Sequence, residues 1–135
     1  MRKSELALTA LLVGALAHAD NIKGVNRMVC SASQVQLCVE DDTCYAATPA
    51  ELSVPEFVVI NLDKKTISTT KASKQNRSTV FSHVGKEAGL IYLQGTEGGR
   101  AFSFVIDEVS GRMTVAVSRD GVSVSVFGAC TDTKL

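Results

Sequence analysis

Runs in which apolar and polar residues alternate, separated by turns rich in glycine, fill most of the chain from residue 28 onward. The pattern is clearest near the end, where Val122, Val124 and Val126 alternate with serines. A period of two is typical of a strand with one buried face. The pattern predicts seven to nine short strands, at 28–39, 44–47, 57–62, 66–70, 78–84, 90–94, 100–107, 112–118 and 122–127.

The connections between these runs are too short for crossover helices, so neighbouring strands are expected to be antiparallel. Asp120-Gly121 is the strongest hairpin signal, because these residues tolerate the positive φ angles of a tight turn. Thr48-Pro49-Ala50-Glu51 has the form of a capping box and predicts one short helical turn near 49–53. We therefore predict an all-β fold, a small antiparallel meander that closes into a β-barrel or folds into two packed sheets.

Residues 1–19 predict a secretory signal peptide. Arg2 and Lys3 precede an apolar run, and Ala17-His18-Ala19 has the small-x-small form that signal peptidase recognises. The apolar run is shorter than the ~20 residues that a membrane span needs. We expect a cleaved signal helix at 1–19 and a disulfide-stabilised antiparallel β domain at 20–135, periplasmic or secreted and without a transmembrane span. A buried N-terminal helix is the alternative.

The four cysteines follow the predicted signal peptide, and an even number in an exported chain indicates two disulfides. Three pairings are possible. Cys38 and Cys44 flank an acidic, turn-like stretch and could form a local clasp, which would leave Cys30 to join Cys130 and tie the first strand to the last. The spacing lacks the paired Cys-x2-Cys units of a zinc ribbon, so no metal site is predicted.

Charge is balanced, with 14 basic and 14 acidic residues, which argues against nucleic acid as a partner because phosphate binding needs a basic excess. Two loops could still recognise a protein or an anionic component of the cell envelope. One is basic and the other is a glycine-rich turn, and together they give the candidate binding surface Lys64, Lys65, Lys71, Lys74, Arg77, Glu97 and Arg100. The alternatives are lysines that protect an edge strand from aggregation and an ordinary wide hairpin.

A catalytic site would have to use His83, the one histidine after the predicted signal peptide. Ser78, Ser82 and Asp107 could serve as its partners, but no Gly-x-Ser-x-Gly elbow or other nucleophile motif supports a triad. No catalytic residue and no cofactor is predicted. A surface or partly buried imidazole in a strand accounts for His83.

In size, strand count and cysteine use the domain is similar to the periplasmic inhibitors of c-type lysozyme. Its meander is similar to that of the lipocalins, although the chain contains no tryptophan and so lacks their Gly-x-Trp motif. We therefore expect a non-enzymatic binding or inhibitor module of the periplasm or the extracellular space. A carrier of a small apolar or lipid ligand in the barrel interior is the alternative, followed by a hydrolase that uses His83.

Overall fold

The computed structural model describes residues 21–134, and the predicted signal peptide lies outside these residues. Within this range the structure is all-β, as predicted. The ten strands are β1 Arg27–Val39, β2 Cys44–Ala47, β3 Phe57–Asn61, β4 Thr66–Thr69, β5 Ser78–Val80, β6 His83–Glu87, β7 Leu90–Glu97, β8 Arg100–Asp107, β9 Arg112–Arg119 and β10 Val122–Asp132. Two 3-10 turns, Ala50–Leu52 and Lys71–Ser73, lie in the connections, and the first one occupies the helical turn predicted near 49–53.

All ten strands belong to one antiparallel sheet, which is curled into an open half-barrel. Along its hydrogen-bonded path the order is β5-β4-β3-β1-β10-β9-β8-β7-β6, and β2 pairs separately with β1. The first and last strands of the described chain, β1 and β10, face each other from Met28–Asp132 to Val39–Val122. The sheet is therefore a meander whose two chain ends meet at its centre.

The opening of the half-barrel lies between β5 and β6, in the middle of the chain. The sequence predicts one strand over 78–84, but the structure divides it, because β5 pairs with β4 and β6 pairs with β7 at the other edge. Between them, Phe81 N donates to Lys65 O at 3.0 Å and Ser82 N donates to Gln94 O at 2.9 Å. The chain thus passes from one edge of the sheet, at β5, to the other edge, at β6, without reversing its direction. No ladder joins β5 to β6 within residues 21–134, and full closure of the barrel is not confirmed.

A β-bulge at Ser33 reverses the alternation of β1. Before the bulge the even-numbered residues face inward, as Cys30 does, and after it the odd-numbered residues face inward, as Val35 does. The partner strand carries Gly128 at this point, where a Cβ atom would collide with the carbonyl oxygen of Ser31. Glycine in a strand interior commonly marks such a close backbone approach. The bulge lets one long strand keep its apolar residues inside along its whole length.

Both disulfides join residues that face each other across neighbouring strands. Cys30 is bonded to Cys130 across β1 and β10, at a sequence separation of 100, and Cys38 is bonded to Cys44 across β1 and β2, at a separation of 6. These two bonds pair all four cysteines of the sequence. The long-range disulfide is buried and lies against Met113, whose Sδ is 3.8 Å from the Sγ of Cys130. It therefore fixes the ladder that joins the two ends of the meander.

One end of the half-barrel is packed solid. Ile22, which precedes the first strand, is fully buried there, and its N–H donates to Glu108 O at 2.8 Å. The side chains around it are also completely buried; they include Met28, Ile60, Phe81, Ile91 and Ile106. The segment before β1 therefore acts as a plug that seals this end of the half-barrel.

Candidate functional site

The unsealed end of the half-barrel contains an apolar cavity of about 280 Å³. Its lining comes from the inward faces of the strands and from the β2–β3 connection. The apolar residues of that lining include Cys30, Leu37, Val58, Ile67, Phe102, Phe104, Met113, Val115, Val117, Val124 and Val126. Small-molecule sites in proteins are typically concave and mostly apolar, with volumes of roughly 300–1,000 Å³. The cavity is slightly smaller than the lower limit of that range.

Burial along each strand shows that the inward-facing residues do not fill this end. On β8, Ile106 is completely buried and Phe104 nearly so, whereas Phe102, which also faces inward, is only half-buried. On β9, Val115 is buried and Val117 is half-buried. The apolar face of the sheet thus continues beyond the packed core and lines an unfilled space.

Four charged side chains form the rim of the cavity. They belong to β5, β7, β8 and β9 or to the residues next to these strands, and all four line the cavity: Arg77, Glu97, Arg100 and Arg119. Because side chains alternate along a strand, Arg100 is on the same face as Phe102, and Arg119 is on the same face as Val117. The charges therefore occupy the last inward-facing positions of their strands, where further apolar residues would have closed the core.

A strap formed by residues 48–56, the connection between β2 and β3, lies over part of the cavity mouth. Leu52, Val54 and Pro55 of the strap line the cavity. The strap is fastened at Ser53, whose carbonyl oxygen accepts a hydrogen bond from Arg77 Nη1 at 3.3 Å. Arg77 thus has two roles, since it belongs to the rim and also holds the strap in place.

A second depression lies outside the sheet, on the far side of the strap. Its lining is drawn from the bulge of β1 and from the strap itself and includes Ser33, Glu56 and the exposed ring of Phe57. Val54 and Arg77 line this depression as well as the interior cavity. The strap is therefore the wall between the cavity and the outer surface.

The structure divides the binding surface predicted from the sequence. Arg77, Glu97 and Arg100 come together at the cavity rim. Lys64 and Lys65 lie in the β3–β4 turn, beside Phe81 at the packed end. β4 lies between Lys65 and Lys71. At the rise of a strand, ~3.3 Å per residue, the six steps from Lys65 to Lys71 span about 20 Å.

Lys71 and Lys74 lie in the β4–β5 connection that leads to Arg77, and both are exposed. Neither of these two lysines is among the described residues that line the cavity. The seven predicted residues therefore do not form one contiguous patch, and the three at the rim are the ones that share a site.

Arg119 is the rim residue that the sequence analysis did not select. It directly precedes the Asp120-Gly121 hairpin signal, which concerns only the turn. Counting in steps of two from Val115 and Val117 would have placed it on the inward face. The sequence signal for a rim residue is thus a charged residue that continues the alternating apolar positions of its strand.

His83 does not form a catalytic constellation in the described part of the chain. Ser82 Oγ donates to Gln94 O at 3.2 Å, and Ser78 Oγ lies 3.4 Å from the Oγ of Ser68, so both hydroxyls have other hydrogen-bond partners. The His83 side chain is exposed on an edge strand. Both serine hydroxyls are therefore engaged away from the imidazole.

Asp107, the third partner considered for His83, stabilises the β8–β9 turn instead. Its Oδ1 accepts hydrogen bonds from the N–H of Val109 at 2.8 Å and of Ser110 at 3.0 Å. These bonds favour the charged carboxylate and lower the pKa of Asp107 from its ordinary value of 3.8, with the N–H of Ser110 contributing most. This carboxylate is a turn cap, not an acid–base group.

Within residues 21–134 no group of three or more histidine, cysteine, aspartate or glutamate side chains is arranged to hold a metal ion. In the same range no helix is long and apolar enough to cross a bilayer. The chain matches no family model, no curated protein and no solved structure. The interior cavity with its charged rim is therefore the feature on which a functional proposal has to stand.

Proposed function

We propose that the protein is an exported, non-enzymatic binding protein that holds a small apolar ligand inside its half-barrel. The observation that carries this proposal is the cavity of about 280 Å³, which is lined by apolar side chains and lies at the end that Ile22 does not plug. A chain that only needed stability would gain from filling this space, because unfilled apolar volume costs roughly 24 cal/mol per Å³. The two disulfides are compatible with export.

The volume limits the ligand to a single small molecule or a single alkyl chain. An apolar protein cavity of about 150 Å³ takes up benzene, so by proportion about 280 Å³ takes up roughly 10 to 12 carbon atoms. A lipid with two long acyl chains is too large for such a space. This argument favours the carrier hypothesis over recognition through the loops alone, whose predicted residues lie at both ends of the molecule.

Binding of 1-decanol to the purified, oxidised protein tests the proposal. Val124 lines the cavity, and Val124→Phe would fill much of it. The matched control is Val109→Phe, because Val109 is 66% exposed in the β8–β9 turn at the packed end. Calorimetric titration should show 1-decanol binding to the wild type and to Val109→Phe, and at least tenfold weaker binding to Val124→Phe.

Two results would contradict the proposal. If the wild type binds neither 1-decanol nor a charged amphiphile of the same chain length, the cavity is not a ligand site. If Val124→Phe, shown to be folded by circular dichroism, binds as well as the wild type, the ligand lies elsewhere.

A further inference from the structure

We infer that the ligand carries an anionic oxyanion head group, which Arg100 and Arg119 hold at the cavity rim; this rests on the proposed function. The ligand class is therefore a single-chain alkyl amphiphile of medium length, represented by a fatty acid. Its chain would occupy the apolar cavity and its head would stay at the solvent-exposed mouth.

The first step in the argument is the register of β8 and β9. Ala101 faces Ser118 across this pair, so the next step toward the cavity mouth brings Arg100 opposite Arg119. Residues opposite each other on one face have Cβ atoms roughly 4.5–5.5 Å apart, and like charges in such a pair are destabilising. Two arginines are thus brought together on the inward face at a cost that a bound anion between them would remove.

The second step is the shortage of partners for these two side chains. Glu97 faces Arg100 across β7 and β8 and is the one acidic residue among the described residues that line the cavity. No hydrogen bond or ion pair within residues 21–134 engages the side chain of Arg100, Arg119 or Glu97. With Arg77 bonded to the strap, the rim carries three positive charges against one negative charge.

The remaining acidic residues at this end do not cancel the excess at the rim. Glu40, Asp41 and Asp42 lie in the β1–β2 turn, Asp120 lies at the tip of the β9–β10 turn, and Glu51 and Glu56 lie on the strap. None of them lines the cavity in the described part of the chain. An incoming head group therefore meets a positive rim directly above an apolar space, and planar guanidinium groups bind oxyanions with two parallel hydrogen bonds.

The test compares three ligands with the same ten-carbon chain and different heads: decanoate, 1-decanol and decylammonium. The wild-type protein should bind decanoate about tenfold more tightly than 1-decanol and decylammonium more weakly than either. Raising NaCl from 20 to 200 mM should weaken decanoate binding severalfold and leave 1-decanol binding unchanged, because only a charged contact is screened.

Variants then locate the head group. Arg100→Ala and Arg119→Ala should each weaken decanoate binding about five- to tenfold and change 1-decanol binding less than twofold. Arg112→Ala is the matched control, since Arg112 lies at the other end of β9, outside the cavity lining. Glu97→Gln, which removes the opposing charge and keeps the shape, should strengthen decanoate binding.

The outcomes separate the two proposals. Equal affinity for decanoate and 1-decanol, or tighter binding of decylammonium, would overturn the head-group inference and leave the cavity as an apolar ligand site. Binding of none of the three ligands would overturn the proposed function and the inference with it. Decyl sulfate that binds as tightly as decanoate would support an oxyanion site that does not discriminate between head groups.

Discussion

Removing the Cys30–Cys130 disulfide should cost about twice as much stability as removing the Cys38–Cys44 disulfide. In the chain-entropy relation, a bond that closes a loop of 100 residues stabilises by about 4.7 kcal/mol, and one that closes a loop of 6 residues by about 2.2 kcal/mol. The difference of roughly 2.5 kcal/mol comes from the unfolded chain, which the long-range bond restricts far more. Loss of the buried sulfur contact with Met113 adds to the cost of the first change.

The measurement is urea unfolding of two double variants, Cys30→Ala with Cys130→Ala and Cys38→Ala with Cys44→Ala, followed by circular dichroism. Both variants should keep the β spectrum at zero urea, because the backbone ladder between β1 and β10 persists without the bond. The midpoint should move much further in the first variant, and its slope should be the steeper of the two, because its unfolded chain is released from the longer loop.

Equal losses in the two variants, or a larger loss from the short clasp, would refute this reasoning. The bond at the centre of the sheet would then contribute through local geometry instead of loop closure. Wild-type protein unfolded with and without reductant provides the control, since the reduced chain lacks both bonds at once.

Three further predictions concern single side chains. Ile22→Ala should lower the free energy of unfolding by about 2–5 kcal/mol in urea titrations, because Ile22 is completely buried in the plug. Gly95→Ala should cost about 1–3 kcal/mol and weaken 1-decanol binding in calorimetry, because the new Cβ would lie 2.5 Å from Phe102 Cζ and force the ring into the cavity. Asp107→Asn should destabilise the protein near pH 6 and have little effect near pH 2. The pKa of Asp107 is lowered in the folded state, so its stabilisation is present above the ordinary value of 3.8 and is lost as the pH falls through the folded value. Urea midpoints measured at both pH values check this, and equal losses at the two would contradict it.

Local pattern was sufficient to predict most strands. The hairpin of β9 and β10 follows from alternation on both sides of Asp120-Gly121, because the pairing partner is the adjacent segment. The division of 78–84 could not be predicted in this way. Which edge each half joins depends on the curvature of a sheet whose other strands are remote in sequence.

The cavity could not be predicted from the sequence for a related reason. Its volume depends on how far the sheet curls and on where the strap crosses the mouth, and neither is encoded in a local pattern. The apolar stripes of β8 and β9 predict an inward face but do not say whether opposing faces touch. Phe102 and Val117 have the same sequence signature as the fully packed Ile106, yet only Ile106 is completely buried.

The arginines at the rim explain why one sheet has a sealed end and an open end. At the sealed end the inward positions are apolar and Ile22 covers them. At the other end the same alternation brings Arg100 and Arg119 to the inward face, and burying two unpaired like charges would cost several kcal/mol per ion. A plug over this end is therefore unfavourable unless it brings negative charge with it. An anionic amphiphile meets that condition, because its chain fills the apolar space and its head neutralises the rim.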